Sequence, residues 1–223
     1  MKIQKENILK LPLHANIYLP NAVKNLILGW IFTLPLLVCG QGKSIPVNIS
    51  LFNESTAIPF TRFFTTPVHP GFQVGVEKDY KITTHSRLFQ TFNLSYFYHR
   101  HVVHGIGLNT ELGYEFRMKQ GLAFEGEFGL GYMHTFGAGE EFSFSNGNYV
   151  SKADLGNSRL FPSLSLGIGY YLQPDQRRCP EIFIRYQSWA EFPYSPGFIP
   201  VMTHINLHAG IRFFIVKKTK YND

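Results

Sequence analysis

Polar and apolar residues alternate with a period of two along most of the chain beyond residue 45. Such alternation is typical of β-strands whose two faces meet different surroundings, and no later segment has the helical periodicity or the long apolar run of a transmembrane helix. The pattern predicts eight strands. They are Val47–Asn53, Phe72–Lys81, Leu88–Arg100, Gly105–Met118, Leu122–Thr135, Phe161–Leu172, Glu181–Phe192 and His204–Ile215.

The two faces of the predicted strands differ sharply in chemistry. In the fourth strand Ile106 and Leu112 share one face, whereas Glu111, Glu115 and Arg117 share the other. Short connections alternate with longer ones, as they do in up-and-down barrels with turns at one end and loops at the other. The sequence therefore predicts an all-β fold, a single antiparallel up-and-down β-barrel of about eight strands.

The alternation alone leaves open which face points inward, because a soluble barrel hides its apolar face and a membrane barrel exposes it to lipid. Glycines lie on the charged face, where a narrow lumen would need them to make room for Glu and Arg. Tyrosine and tryptophan lie toward strand ends, as in interfacial girdles: Tyr96, Tyr98, Tyr114, Tyr132, Tyr170, Tyr186 and Trp189. We therefore expect a transmembrane barrel, with an exported soluble barrel as the alternative.

The N-terminus has the pattern of a secretory signal peptide. Lysines precede an apolar run at residues 26–40, which is too short for a stop-transfer helix and contains Pro35. We predict a signal peptide over residues 1–40 and a barrel domain over residues 41–223, with the mature protein in the cell outer membrane of a Gram-negative bacterium. Acylation of Cys39, as in a lipoprotein, is the alternative.

Composition excludes several function classes. Charged residues make up only 16% of the chain, fewer than in typical soluble domains. The first 40 residues, with four lysines and one glutamate, contribute +3 of the net charge of +6, so +3 remains for the rest. This mild charge does not predict a nucleic-acid partner. Cys179 would have no disulfide partner after cleavage, and no motif predicts a cofactor.

Three short motifs carry a resemblance to a known class of proteins. Gly-x-Gly-Tyr occurs at Gly129–Tyr132 and Gly167–Tyr170, a related Leu-Gly-Tyr occurs at Leu112–Tyr114, and the last strand is aromatic over His204–Ile215. Over residues 45–217 the chain resembles the small eight-stranded outer-membrane β-barrel proteins, in the style of those of Bacteroidota. The resemblance implies an architecture and a lipid partner, not an activity.

A barrel of eight strands is just wide enough for side chains to fill. The inward face predicts a polar network of Glu77, Asn109, Glu111, Glu115, Arg117, Glu125, Glu127, Arg185, His208 and Arg212. Buried charges must be paired, so we interpret this set as a plug that locks the barrel. A narrow proton or ion path along the same residues is the alternative.

Histidines suggest two further hypotheses. His99, His101 and His104 could bind zinc or copper, or could be solvated residues at the barrel rim; no neighbouring carboxylate or cysteine completes a site, so we assign no metal. His134 and His204 are candidates for an enzyme that hydrolyses or transfers lipid acyl chains, although no characteristic His-x-Ser pair accompanies them. We assign no catalytic residue.

The loop between the first two predicted strands carries Phe60, Phe63 and Phe64 beside three prolines. Exposed aromatic residues in a loop predict either a contact surface for another envelope protein or a fold-back over the barrel mouth, and we favour the fold-back. The sequence thus predicts a structural or binding component of the cell envelope, and a subunit of a larger assembly is one form that such a component could take. A lipid-modifying enzyme is the second interpretation and a narrow channel the third.

Overall fold

A computed structural model describes residues 44–99, 103–139, 141–145, 147–176, 178–195 and 198–216 of the chain. The predicted signal peptide lies outside these residues and stays a prediction. Within the described ranges, none of the helices is both long and apolar enough to cross a membrane.

The described residues form ten β-strands. They are β1 (Ser44–Thr56), β2 (Pro70–Ile82), β3 (Ser86–His99), β4 (Val103–Arg117), β5 (Leu122–Gly137), β6 (Glu141–Ser145), β7 (Asn148–Lys152), β8 (Asn157–Tyr171), β9 (Glu181–Glu191) and β10 (Met202–Val216). Eight of them close into an antiparallel barrel in the order β1-β10-β9-β8-β5-β4-β3-β2, and β6 pairs with β7 in a separate hairpin. The predicted all-β fold, with an antiparallel up-and-down barrel of eight strands, is confirmed.

The connections divide the barrel into two ends. Residues 83–85, 118–121 and 172–180 connect strands at one end, called here the turn end. Residues 57–69, 100–102, 138–156 and 192–201 connect strands at the other, called here the loop end. The predicted alternation of shorter and longer connections is therefore present, and the short connection at residues 100–102 is the exception at the loop end.

Each of the eight predicted strands corresponds to an observed barrel strand, and most observed strands begin earlier, whereas Met118, Leu172 and Phe192 lie one residue beyond the observed ends. β1 reaches Thr56 and β8 starts at Asn157, because backbone pairing with β10 and β5 continues where the alternation of side chains fades. The hairpin of β6 and β7 was missed by the sequence prediction. Its polar residues were assigned to a loop, although Gly147 with a φ of 79° supplies the turn that a tight hairpin requires.

Apolar side chains cover the outside of the barrel, and polar side chains fill the inside. Ile106, Leu108 and Leu112 of β4 are about half exposed, whereas Glu111 and Glu115 on the same strand are buried. The same division holds on the other barrel strands, with exposed residues such as Val74, Val76, Phe92, Leu94, Phe124, Phe128, Leu130, Leu164, Leu166, Ile168, Ile182 and Ile184. This arrangement is inverted relative to a soluble protein.

Inside the barrel, glycines face aromatic rings directly across the strand pairing. Gly113 pairs with Phe89 in register, and a Cβ on Gly113 would lie 2.4 Å from that ring. Gly131 faces Phe161 in the same way, and Gly71 faces Phe52. The glycines therefore make room for rings as well as for the charged side chains that the sequence predicted, such as Glu125 opposite Gly167.

Candidate functional site

The interior is built in layers, and the layer nearest the turn end is a network of buried ions around Arg212. Its guanidinium contacts Glu77 (Nε–Oε1, 2.8 Å), Glu125 (Nη2–Oε2, 2.7 Å), Glu115 (Nη1–Oε2, 3.4 Å) and Glu181. One arginine thus joins strands β2, β4, β5, β9 and β10 across the lumen. Four carboxylates around one guanidinium compensate charges that would otherwise be very costly to bury.

Two further arginines extend this network. Arg87 pairs with Glu77 at 2.7 Å and with Glu115 at 3.0 Å, and Arg185 pairs with Glu125 and Glu127, each at 2.9 Å. All of these side chains are almost completely buried. Because Arg87 and Arg212 share both Glu77 and Glu115, the network is continuous rather than a set of separate pairs.

Toward the middle of the lumen the contacts become neutral. Glu111 accepts hydrogen bonds from Ser163 (2.7 Å), Ser165 (3.1 Å) and Gln187 (3.1 Å) through Oε1. His208 is fully buried, and its Nδ1 lies 3.0 Å from Ser50 Oγ. These hydroxyl and amide groups satisfy a buried carboxylate and an imidazole without a paired ion.

The structure places every residue of the predicted polar network inside the barrel, but not all of them in the ion network. Arg117 instead donates to backbone carbonyls of Pro174 (2.7 Å) and Gln176 (2.9 Å), and so closes the turn end. Asn109 packs beside Gly131. The prediction omitted Arg87 and Glu181, although both follow the inward parity of their strands, because they lie at or beyond the strand starts expected from sequence.

An aromatic layer lies between the ion network and the loop end. Its buried residues are Phe52, Phe97, Met133, Phe161 and Trp189. Trp189 is only 4% exposed and packs against Phe97 and Phe161. The expectation that Trp189 belongs to an outward girdle is therefore wrong, because β9 directs its odd-numbered side chains into the lumen. The predicted girdle tyrosines all lie on the outside, and of these Tyr186 is buried although it points outward.

Above the aromatic layer, at the loop end, the barrel interior opens into a cavity of about 330 Å³, called here the vestibule. His204 stands at its floor, stacked on Trp189 with ring centroids 4.1 Å apart. Its Nδ1 lies 2.8 Å from Glu54 Oε1, and its Nε2 lies 3.3 Å from Glu191 Oε2. Arg159 pairs with Glu191 at 3.0 Å. His204 is thus held inside the barrel, away from the lipid side that an acyl-transfer role would need.

A second pair of histidines consists of His99, which lines the vestibule, and His69, which stacks on it. The rings of His69 and His99 stack with centroids 3.5 Å apart, and His69 Nδ1 lies 4.0 Å from Glu54 Oε2. The sequence prediction considered His99 with His101 and His104. His104 contacts Tyr96, Tyr98 and Phe136, and His101 lies outside the described residues. The carboxylate that the sequence failed to find beside His99 comes from β1.

The connection from β1 to β2, residues 57–69, folds against the outside of the barrel and is called here the wall flap. Phe60 and Phe63 contact the ring of Tyr186 on β9, at centroid distances of 5.4 Å and 5.3 Å. Ile205 of β10 points outward, yet it is only 2% exposed. The predicted fold-back does occur, but it covers the wall rather than the mouth.

Hydrogen bonds fix the wall flap in this position. The backbone N–H of Phe60 donates to Tyr186 Oη at 2.9 Å, and Tyr186 Oη donates to the carbonyl of Arg62 at 3.1 Å. Phe60 has a φ of 62°, a left-handed conformation that costs a non-glycine residue about 1–2 kcal/mol. This local cost indicates that tertiary contacts determine the flap conformation. Phe60, Phe63 and Phe64 remain at least half exposed on its outer side.

On strands β5 and β8, the outer wall carries a polar relay beside an apolar groove. Tyr132 Oη lies 2.9 Å from Ser158 Oγ and 3.4 Å from His134 Nδ1, and His134 Nε2 lies 3.0 Å from the carbonyl of Leu155. Tyr132 and Leu160 line a groove of about 540 Å³ that also includes outward residues of β2, β3 and β4. His134 faces outward as the enzyme hypothesis requires, and pairing of β5 with β8 supplies a serine that the sequence pattern did not reveal.

The connection that carries the hairpin is fixed to the barrel by Asp154. Its carboxylate accepts hydrogen bonds from the backbone N–H groups of Gly137 (2.5 Å) and Gly156 (2.7 Å). These two hydrogen bonds, Gly156 first, lower the pKa of Asp154 below its ordinary value of 3.8. Asp154 is therefore ionised at neutral pH, and its carboxylate holds Gly137 and Gly156, at the two ends of the connection, close together.

Comparisons with known proteins give distant structural likenesses only. No model of a protein family matches it, and no curated protein does. Among solved structures, neisserial surface protein A is 10% identical, with 76% of this chain and 95% of that chain covered and a TM-score of 0.48. The outer membrane enzyme PagL is 12% identical (75% and 98% covered, TM-score 0.43), and Ail of Yersinia pestis is 16% identical (76% and 97% covered, TM-score 0.40). Likenesses this distant carry no argument about function, which depends on the residues themselves.

Proposed function

We propose that this protein is a β-barrel of the bacterial outer membrane with a closed lumen, and that it serves as a structural or binding component of the envelope. The observation that carries the proposal is the separation of side chains across the wall. Half-exposed aliphatic and aromatic residues cover the outside, while the buried charges of Arg87, Arg185 and Arg212 lie near the axis. Soluble proteins rarely expose apolar patches beyond a few hundred Å², whereas a lipid-facing wall requires them.

The contents of the lumen support a structural role over a channel. The vestibule at the loop end and a cavity of about 190 Å³ beside Arg117 at the turn end are separated by the aromatic layer and the ion network. Conduction needs sites that ions can both enter and leave. A guanidinium held by several carboxylates is instead a fixed crosslink between strands.

Two measurements test this proposal. In isolated outer membranes, the protein should migrate faster on a gel without boiling than with boiling, as a detergent-resistant barrel does. In planar bilayers, the purified protein should give no resolvable conductance steps. A protein found soluble in the periplasm without a heat-dependent shift would show that the apolar wall does not face lipid. Steady single-channel currents would show that the lumen is open.

The wall flap is the surface we propose for contact with other envelope proteins. Phe64 is 56% exposed and has no ring partner among the described residues, so its substitution should spare the flap's own packing. Crosslinking in whole cells followed by affinity purification should recover a partner with the wild type and lose it with Phe64→Ser. Phe128→Ser, on the far wall, is the matched control. Equal recovery with both variants would contradict a role for the flap.

Lipid acyl hydrolysis or transfer is a second candidate function, and the relay on the outer wall favours it. A serine hydroxyl linked through Tyr132 to His134 provides a nucleophile and a base, and the adjacent groove could hold an acyl chain. The test is mass spectrometry of lipid A and phospholipids from cells that carry Ser158→Ala or His134→Ala. Both variants should reproduce the lipid profile of a gene deletion. A profile unchanged by deletion would eliminate this candidate.

A further inference from the structure

We propose that the vestibule binds a divalent transition-metal ion, zinc in the first instance, through Glu54, His69 and His99. One ligand atom from each of these residues lies within 4.8 Å of the others. The three residues come from β1, the end of the wall flap and the last position of β3. The proposal concerns the vestibule only, and it does not depend on whether the barrel resides in a membrane.

The chemistry of the three side chains suits zinc. Two imidazoles and one carboxylate form the ligand set of many zinc sites that keep a fourth position for water or a substrate. Imidazole ligands also select zinc, copper and nickel over magnesium and calcium. Around a tetrahedral zinc ion the ligand atoms stand about 3.3 Å apart, so the three side chains would close by at most about 1.5 Å. The vestibule supplies an entry path from the loop end.

The surroundings of Glu54 support the assignment. Glu54 is 1% exposed, and its two oxygens serve different partners. Oε1 lies 2.8 Å from His204 Nδ1, whereas Oε2 lies 4.0 Å from His69 Nδ1, which is also 3.2 Å from the carbonyl oxygen of Glu54. His204 in turn reaches Glu191 through Nε2 at 3.3 Å. A hydrogen-bonded imidazole behind a ligating carboxylate is the arrangement that orients ligands in metal sites.

The positions of the ligands also argue against simple packing. Stacked imidazoles can fill the rim of a barrel without a metal, but here both stand beside a buried carboxylate. Asn53 accepts from the backbone N–H of His69 at 2.7 Å, and the N–H of Glu54 donates to the carbonyl of His69 at 2.9 Å. His69 is therefore held beside Glu54 by the backbone, so the pair of ligands exists before a metal arrives.

Zinc titration of the full-length protein in detergent tests the proposal. One ion per chain is expected. His69→Ala, His99→Ala and Glu54→Gln each remove a ligand. They should weaken binding more than His204→Gln, for which the about 10–100-fold loss typical of a supporting residue is expected. His134→Ala, an imidazole on the outer wall at the same end, is the matched control and should leave the affinity unchanged. Heat-dependent migration on a gel verifies that each variant is folded.

Three results would overturn the assignment. The first is the absence of saturable zinc binding by the wild type. The second is a loss of affinity with His134→Ala equal to that with His69→Ala. The third is binding that requires His99 but survives both Glu54→Gln and His69→Ala, which would move the ion to the neighbouring histidine run.

Discussion

The hydroxyl of Tyr186 provides a direct test of the wall flap. Tyr186→Phe removes one oxygen that accepts from Phe60 and donates to Arg62, and leaves in place the ring that Phe60 and Phe63 contact. A typical hydrogen bond contributes about 0.5–1.5 kcal/mol net, so losing two should favour flap opening by about 1–3 kcal/mol. Every 1.4 kcal/mol is about tenfold in an equilibrium constant, which gives roughly 5- to 150-fold more open flap.

Limited trypsin digestion of the detergent-solubilised protein measures this opening. Arg62 lies in the middle of the wall flap, and cleavage there should follow the population of the open form when opening is fast. Tyr186→Phe should therefore be cut roughly 5- to 150-fold faster than the wild type. Tyr114→Phe, which alters an exposed tyrosine on β4, should be cut at the wild-type rate. Cleavage of Tyr186→Phe at the wild-type rate would refute the role of these hydrogen bonds.

Three further predictions address the interior and the hairpin connection. Arg212→Met should lower the free energy of unfolding by about 3–5 kcal/mol in a urea titration, because it leaves buried carboxylates unpaired. Gly131→Ala should cost about 1–3 kcal/mol in the same titration, since its Cβ would lie 2.3 Å from the Phe161 ring, whereas Gly139→Ala, with open space around it, should cost little. Asp154→Asn should speed amide exchange at the glycines it binds. Because the pKa of Asp154 is lowered, this stabilisation is present above its ordinary pKa and fades as the pH falls through the lowered pKa, so the two proteins should converge in acid.

The alternation of polar and apolar residues was sufficient to predict the strands and their two faces, because it depends only on residues that are neighbours in the sequence. The inward parity of β4 placed Glu111, Glu115 and Arg117 inside without any knowledge of partners. The sequence could not predict which ions pair, because the pairing depends on the register of six strands, β2, β3, β4, β5, β9 and β10. Arg117 shows this limit, because it has the inward parity of the ion network but binds the carbonyls of a turn.

The vestibule, and the part of the barrel that the wall flap covers, were beyond sequence reasoning for a different reason. Glu54 and His69 lie where prolines and aromatic residues suggested an irregular loop, so neither was considered as an inward side chain. Tyr186 and Ile205 alternate outward like any lipid-facing residues, and no local signal shows that a distant segment covers them. Contacts between segments far apart in sequence are fixed by closure of the barrel and not by periodicity.

The glycines that face aromatic rings also help to determine the register in which neighbouring strands pair. A strand that slips by two residues keeps its polar face inward, so hydrophobic patterning alone cannot reject the error. Such a slip between β3 and β4 would move Phe89 from Gly113 to Glu111 or Glu115. Between β1 and β2 it would move Phe52 from Gly71 to Gln73 or His69. Each ring would then face a side chain where the native register has only a hydrogen, which opposes the mispaired register. The glycines opposite aromatic rings thus favour the native strand register over register shifts of two residues.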